Sequence, residues 1–148
     1  MSTPIPARLS IVTLGVADLP TMREFYKGLG WTAAIEVGDE FAAFHLGGVV
    51  LALFPADQLT EEAALTGDEG SGIAAMTLAL NVDQSEDVDR VWAAAVERGA
   101  QPIAEPVDRV WGGRSGYVAD PEGNRWEIAW APFASFDEKG AVAGFGDG

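Results

Sequence analysis

Tyr117-Val118-Ala119-Asp120-Pro121-Glu122-Gly123-Asn124-Arg125-Trp126-Glu127-Ile128 consists of two apolar-rich arms around a polar turn. Asp at the first turn position accepts a hydrogen bond from the backbone. Proline presets φ at the second, and glycine permits the left-handed conformation that closes the turn. The stretch therefore predicts a hairpin joining strands over residues 114–119 and 125–131. Taken alone, it predicts nothing more.

Upstream of the hairpin, residues 101–109 read as another strand, and Gly99 ends the element before it. Val88, Val91, Trp92, Ala95 and Val96 recur at helical spacing and predict an amphipathic helix. Asp83, with Glu86 three residues on, has the spacing of a capping box for that helix. Residues 73–82 (IAAMTLALNV) read as the strand that precedes it.

The same order occurs earlier in the chain. Residues 8–16 (RLSIVTLGV) predict a strand, and Asp18 and Pro20 open a helix. Met22, Phe25, Tyr26 and Leu29 give that helix one apolar face, and Gly28 and Gly30 end it. Three strands follow, over residues 31–37, 40–46 and 49–54, with Gly38-Asp39 and Gly47-Gly48 as turns. Thr13-Leu14-Gly15-Val16 falls on Ala79-Leu80-Asn81-Val82 when the halves are superposed, so the chain reads as an internal duplication. Two such halves should bury apolar faces together, with the helices outside and the strands curving around a cavity. The 148 residues fit one domain: a first module over about residues 8–55, a linker over 56–72, a second module over 73–131 and a tail over 132–148. The linker is polar and acidic, with one short helix expected around residues 59–65. The tail, rich in Gly and Ala, shows no clear element. It is expected to be disordered, or to dock on this subunit or a partner.

Two motifs in this order carry a resemblance: the hairpin above, and Val12-Thr13-Leu14-Gly15-Val16-Ala17-Asp18-Leu19 followed by Phe25-Tyr26-Lys27-Gly28-Leu29-Gly30-Trp31. Over roughly residues 8–131 the chain resembles the vicinal oxygen chelate superfamily, the glyoxalase / bleomycin-resistance / dioxygenase group. The resemblance implies an α+β fold of two tandem β-α-β-β-β modules forming curved mixed sheets around a cavity. It also implies a divalent metal held by one side chain from the first and last strand of each module, usually His, Glu or Gln. Those positions map to Ile11, Ala52, Thr77 and Glu127. Ile11 and Ala52 cannot ligate, and Thr77 is a poor neutral ligand. One carboxylate does not make a site that usually needs three protein ligands. No metal and no cofactor are therefore expected.

Glu127 then needs another role. Arg125, two residues away on the same strand face, and Arg114 are candidate ion-pair partners. The functional alternatives are a carboxylate that recognises a ligand, or a general base. With Glu127 facing inward, strand alternation turns Arg125 and Ala129 the same way and puts Trp126 and Trp130 under the helices. Thr13 shares a face with Ile11, Val50 and Phe54 with Ala52, and Ala75 and Ala79 with Thr77. A tyrosine three residues before the Asp-Pro turn points into the cavity in related proteins, and Tyr117 holds that place. Ser115 shares its face, and Trp111 precedes Gly112 and Gly113 in the same arm. Tyr117, Ser115 and Trp111 suit a planar or aromatic ligand, although Trp111 also reads as a core or dimer residue. His45, the only histidine, is assigned a structural or surface role.

Composition narrows the partners. A net charge of −14 opposes binding to nucleic acid or to an anionic membrane. It suits a soluble protein or a cationic ligand. With no cysteine, disulfides, thiolate catalysis and Cys-held zinc are excluded. No apolar run approaches the ~20 residues of a membrane span, and the N-terminus lacks a signal-peptide pattern, so a cytoplasmic protein is expected. No Ser-His-Asp order, Walker loop or G-x-G-x-x-G stretch occurs. Three functions compete: a metal-independent, homodimeric binder of a small cationic or aromatic molecule, as in the bleomycin-resistance branch; a lyase, isomerase or dioxygenase of glyoxalase type using Glu127 and Tyr117; and a diverged module kept for a protein partner.

Overall fold

The structure, a computed structural model, describes residues 4, 5, 7–64 and 76–145. Strand β1 (Ile11–Val16) leads into helix α1 (Leu19–Gly28), then β2 (Ala33–Val37), β3 (Phe41–Leu46) and β4 (Val49–Pro55). After helix α2 (Ala56–Glu62), the order repeats as β5 (Leu78–Asn81), α3 (Ser85–Glu97), β6 (Gln101–Asp108), β7 (Arg114–Ala119) and β8 (Arg125–Trp130). The strand orders β1-β4-β3-β2 and β5-β8-β7-β6 are equivalent: in each, the helix carries the chain from the first strand to the far edge, and the last strand returns to pair parallel with the first beside two antiparallel pairs. This is the duplicated α+β architecture that the two motifs imply.

Local chemistry explains the boundaries. Asp18 caps α1, its carboxylate accepting from the Thr21 amide at 3.1 Å, with proline in the first turn. The Asp120 carboxylate accepts from the amides of Glu122 (3.0 Å) and Asn124 (2.9 Å), and Gly123 adopts φ of 89°, which closes the β7–β8 hairpin. Two expectations need correction. Asp83 and Glu86 form no capping box: α3 begins one residue later, with Gln84 at the cap and no side-chain cap bond. The linker helix lies at Ala56–Glu62, directly after Pro55, rather than at 59–65. Ile73, Ala74 and Ala75, expected in the fifth strand, lie outside the described residues.

The tail is built rather than structureless as far as Phe145. Ala134–Phe136 (β9) pairs with Val142–Phe145 (β10) around a turn in which Asp137 accepts from the amides of Lys139 and Ala141. The hairpin docks on this same chain, at Gly47-Gly48, where a side chain would crowd Ala141.

The two modules meet through their helix-bearing faces. Tyr26 of α1, fully buried, packs on Trp126 of β8 and donates from its hydroxyl to Asp120 at 2.6 Å. The same hydroxyl accepts from the Trp126 indole at 3.0 Å. Glu122 reaches across to accept from the amides of Ala17 (2.8 Å) and Asp18 (2.9 Å) before α1. Leu14, Val16, Met22, Phe44, Leu51 and Leu53 form the core of the first module, and Val88, Val118 and Ile128 that of the second. The opposite faces of the two curved sheets are only partly covered, with α2 packing over Gly15 at one end of the first. Ile11, Ile35 and Val37 are 54%, 53% and 50% exposed there.

Candidate functional site

Strand register fixes what each open face presents. In the first sheet one cross-strand row reads Thr13, Ala52, Ala43, Ile35. In the second the corresponding row reads Ala79, Glu127, Tyr117, Ala104. Polar groups therefore concentrate on the second module. Glu127 and Tyr117 are directly opposed neighbours on β8 and β7, both half-buried. Burial, with the Glu127 carboxylate alongside, pushes the Tyr117 phenol above its ordinary range, while Arg109 pulls the other way.

Arg109 is the residue that sequence reasoning missed. It follows β6, and its guanidinium lies 5.9 Å from the centre of the Tyr117 ring. Its Nε donates to the Ser115 hydroxyl at 2.9 Å and its Nη2 to the Ser115 carbonyl at 3.1 Å. Ser115 is consequently 1% exposed: it anchors Arg109 and presents no free hydroxyl at the surface. Alternation could not assign Arg109 a face, because the β6–β7 register shifts twice, between Pro102 and Ala104 and between Ala104 and Val107.

The expected partners of Glu127 are engaged elsewhere. Arg125 turns back to the Gly123 carbonyl at 3.1 Å. Arg114 forks onto Asp89 at 2.9 Å and also reaches Asp108, on the helix side of the sheet. Among the described residues, no ion pair involves Glu127. Half exposure to water removes the need for one.

The remaining candidates are dispersed. Thr13 is exposed on β1, and Phe54, half-buried on β4, meets Phe41 edge-to-face at 6.4 Å between ring centres. Thr77 is exposed and precedes β5 rather than belonging to it. Trp111 stands in the β6–β7 loop against Phe133, 6.2 Å between ring centres, and Phe133 against Phe145 of the tail hairpin. Gly113 is required beneath the indole, since a side chain there would collide with it. His45 is exposed on β3, opposite Val50.

The four metal positions do not fit a metal. Ile11 and Ala52 offer hydrocarbon only, and Ala52 is buried between Thr13 and Ala43. No cluster of three His, Asp or Glu side chains occurs among the described residues.

Residues 8–128 match the Glyoxalase/Bleomycin resistance protein/Dioxygenase superfamily, and the chain belongs to it. It is similar to a glyoxalase-related enzyme from Fulvimarina pelagi, with 30% identity, 95% of this chain and 99% of the other covered, and a TM-score of 0.81. It is also similar to a glyoxalase/bleomycin resistance protein/dioxygenase family enzyme from Burkholderia phytofirmans PsJN, at 24% identity over 84% of this chain and 98% of the other, TM-score 0.73. A lactoylglutathione lyase from Agrobacterium tumefaciens shares the fold at 20% identity, with 86% and 96% covered and a TM-score of 0.63. No curated protein matches. No helix among the described residues is long and apolar enough to cross a membrane.

Proposed function

We propose that the protein is a metal-independent binder of a small molecule, and that the ligand sits on the open face of the second module against Glu127 and Tyr117. One observation carries this reading: Glu127 lies half-exposed beside Tyr117, and among the described residues no cation pairs with it. A ligand cation or N–H donor would complete it, and the chain's charge of −14 favours a cation. Arg109 is held in place by Ser115 and covers the Tyr117 ring, so it shapes the site and leaves the Tyr117 hydroxyl as the polar contact. Thr13 and Phe54 on the first module, and Trp111 at the loop, belong to the wider wall.

The open faces also support a homodimer. Ile11, Ile35 and Val37 of the first module and Val107 of the second are each at least 45% exposed. A second copy laying its first module over the second module of its partner would cover both and roof the Glu127 site. The binding test is calorimetric titration with a library of aromatic and cationic small molecules. Saturable binding of a cation that Glu127→Gln weakens by about tenfold supports the reading. Binding that is indifferent to Glu127 contradicts it.

A second reading, a lyase, isomerase or dioxygenase with a metal-free site, draws on the adjacency of Glu127 and the Tyr117 phenol, a carboxylate and a weak acid in contact. Turnover of a glyoxalase-type substrate, abolished in both Tyr117→Phe and Glu127→Gln, would favour it.

A further inference from the structure

The helix-bearing side of the second sheet holds a cavity of about 370 Å³ between α1, α3 and strands β7 and β8. Val118 and Ile128 form its floor, alternating along their strands with Tyr117 and Glu127, so it lies on the opposite side of the sheet from the proposed binding face. Leu29 and Trp31 come from the first module and Ala95 and Trp126 from the second, so the cavity spans the seam. Such a volume is within the range of small-molecule pockets. We infer that this cavity is a second ligand site, and that it takes a small aromatic monocarboxylate.

The apolar wall accounts for the aromatic body. Trp31 and Trp126 stand edge-to-face at 5.6 Å between ring centres, and a third ring can join that cluster in the same manner. The charge at the mouth accounts for the carboxylate. The chain has only nine Lys and Arg against 23 acidic residues, yet Arg90 and Arg98 both border this one cavity. They lie eight residues apart, on the stripe that α3 turns toward the cavity with Val91, Ala94 and Ala95. Asp87 pairs with Arg90. Arg98 donates one Nη1 hydrogen bond to the Leu29 carbonyl at 3.0 Å, and among the described residues it has no carboxylate partner. Its Nε and Nη2 edge matches the fork of a carboxylate.

The one acidic wall residue, Asp120, does not oppose an anion at the mouth. It is fully buried, and its oxygens already accept from Tyr26, Asn124 and the backbone. The apolar body would lie over it, and the carboxylate would remain at the rim with the arginines.

The test is calorimetry with three probes of one shape: 4-phenylbutanoate, 4-phenylbutanol and 4-phenylbutylamine. The expected order is carboxylate about tenfold tighter than alcohol, with the amine weakest. Arg98→Ala should bring the carboxylate down to the affinity of the alcohol, and Ala95→Trp, which fills the cavity, should abolish binding of both. Arg98 also holds the end of α1, so Arg98→Lys and Arg90→Ala, checked for native circular dichroism, guard against a folding artefact. Each should selectively weaken the carboxylate. Glu127→Gln, on the other face, should leave this binding unchanged. Equal affinity for carboxylate and alcohol, carboxylate binding that survives Ala95→Trp, or no saturable binding of any probe would overturn the inference.

Discussion

The two modules share one strand order and pair their inner strands at equivalent positions, yet their open faces differ there. Where the first module places Ala52 beside Ala43, the second places Glu127 beside Tyr117. Around these pairs the first face carries Ile11, Ile35 and Val37, and the second carries Arg109 anchored on Ser115. Duplication supplied two copies of one scaffold. One copy now presents mostly apolar side chains on this face, and the other a carboxylate beside a phenol. Of the four metal-binding positions only Glu127 keeps a carboxylate, which in the proposed function serves recognition instead.

The seam between the modules presents the opposite case, a place where polar groups are buried and mutually satisfied. Asp120→Ala removes an acceptor from Tyr26, Asn124 and two backbone amides at once. It should cost about 3 kcal/mol or more in urea unfolding. Tyr26→Phe, which strips the hydroxyl shared by Asp120 and Trp126, should cost about 1–3 kcal/mol. Glu127→Ala, on the open face, should change stability by less than about 0.5 kcal/mol. Comparable costs at Asp120 and Glu127 would break the distinction between seam and open face.

The next effect concerns assembly. Ile35→Glu places a charge on the first module's apolar face without disturbing its core, and should convert a dimer to a monomer by sedimentation analysis. A dimer that persists through both Ile35→Glu and Ile11→Glu would mean that the faces do not cover each other.

The smaller effects are in titration. The chain has two tyrosines, and both phenols are raised above the ordinary value of about 10. Burial is the first cause at Tyr26, followed by Asp120. A raised folded-state value means that the native protein holds its proton more tightly than the unfolded chain. The stabilisation is therefore complete below about pH 10 and is lost progressively above it. Alkaline unfolding should begin there and should move upward in Tyr26→Phe relative to that variant's own neutral-pH stability. In native protein Tyr117 should be the first phenol to ionise by ultraviolet difference absorbance, and Glu127→Gln should lower its midpoint by removing the adjacent charge. An unchanged midpoint would separate Glu127 from Tyr117.

Much of this was legible in the chain itself, for reasons that can be named. The β7–β8 hairpin followed from Asp120, Pro121 and Gly123, whose backbone preferences are local. Once that turn fixed the register, Glu127 and Tyr117 had to share a face. Arg109 escaped because bulges in β6 interrupt the parity on which such counting depends. The engagement of Arg125 and Arg114 also escaped, since Gly123, Asp89 and Asp108 compete for them through contacts that no strand period reveals. The tail hairpin did leave a trace. Asp137 and Gly140 repeat the turn chemistry of Asp120 and Gly123, but the flanking Ala and Gly have weak strand preference and depend on docking at Gly47.

The central claim, a polar site that works without a metal, is tested most directly by elemental analysis of protein prepared without chelator or histidine tag, before and after incubation with excess Mn, Fe, Ni or Zn. The account predicts metal far below one equivalent per chain, unchanged by incubation, because Ile11 and Ala52 cannot join Glu127 in holding one and Thr77 is a poor neutral ligand. A near-stoichiometric metal that disappears in Glu127→Ala would contradict it.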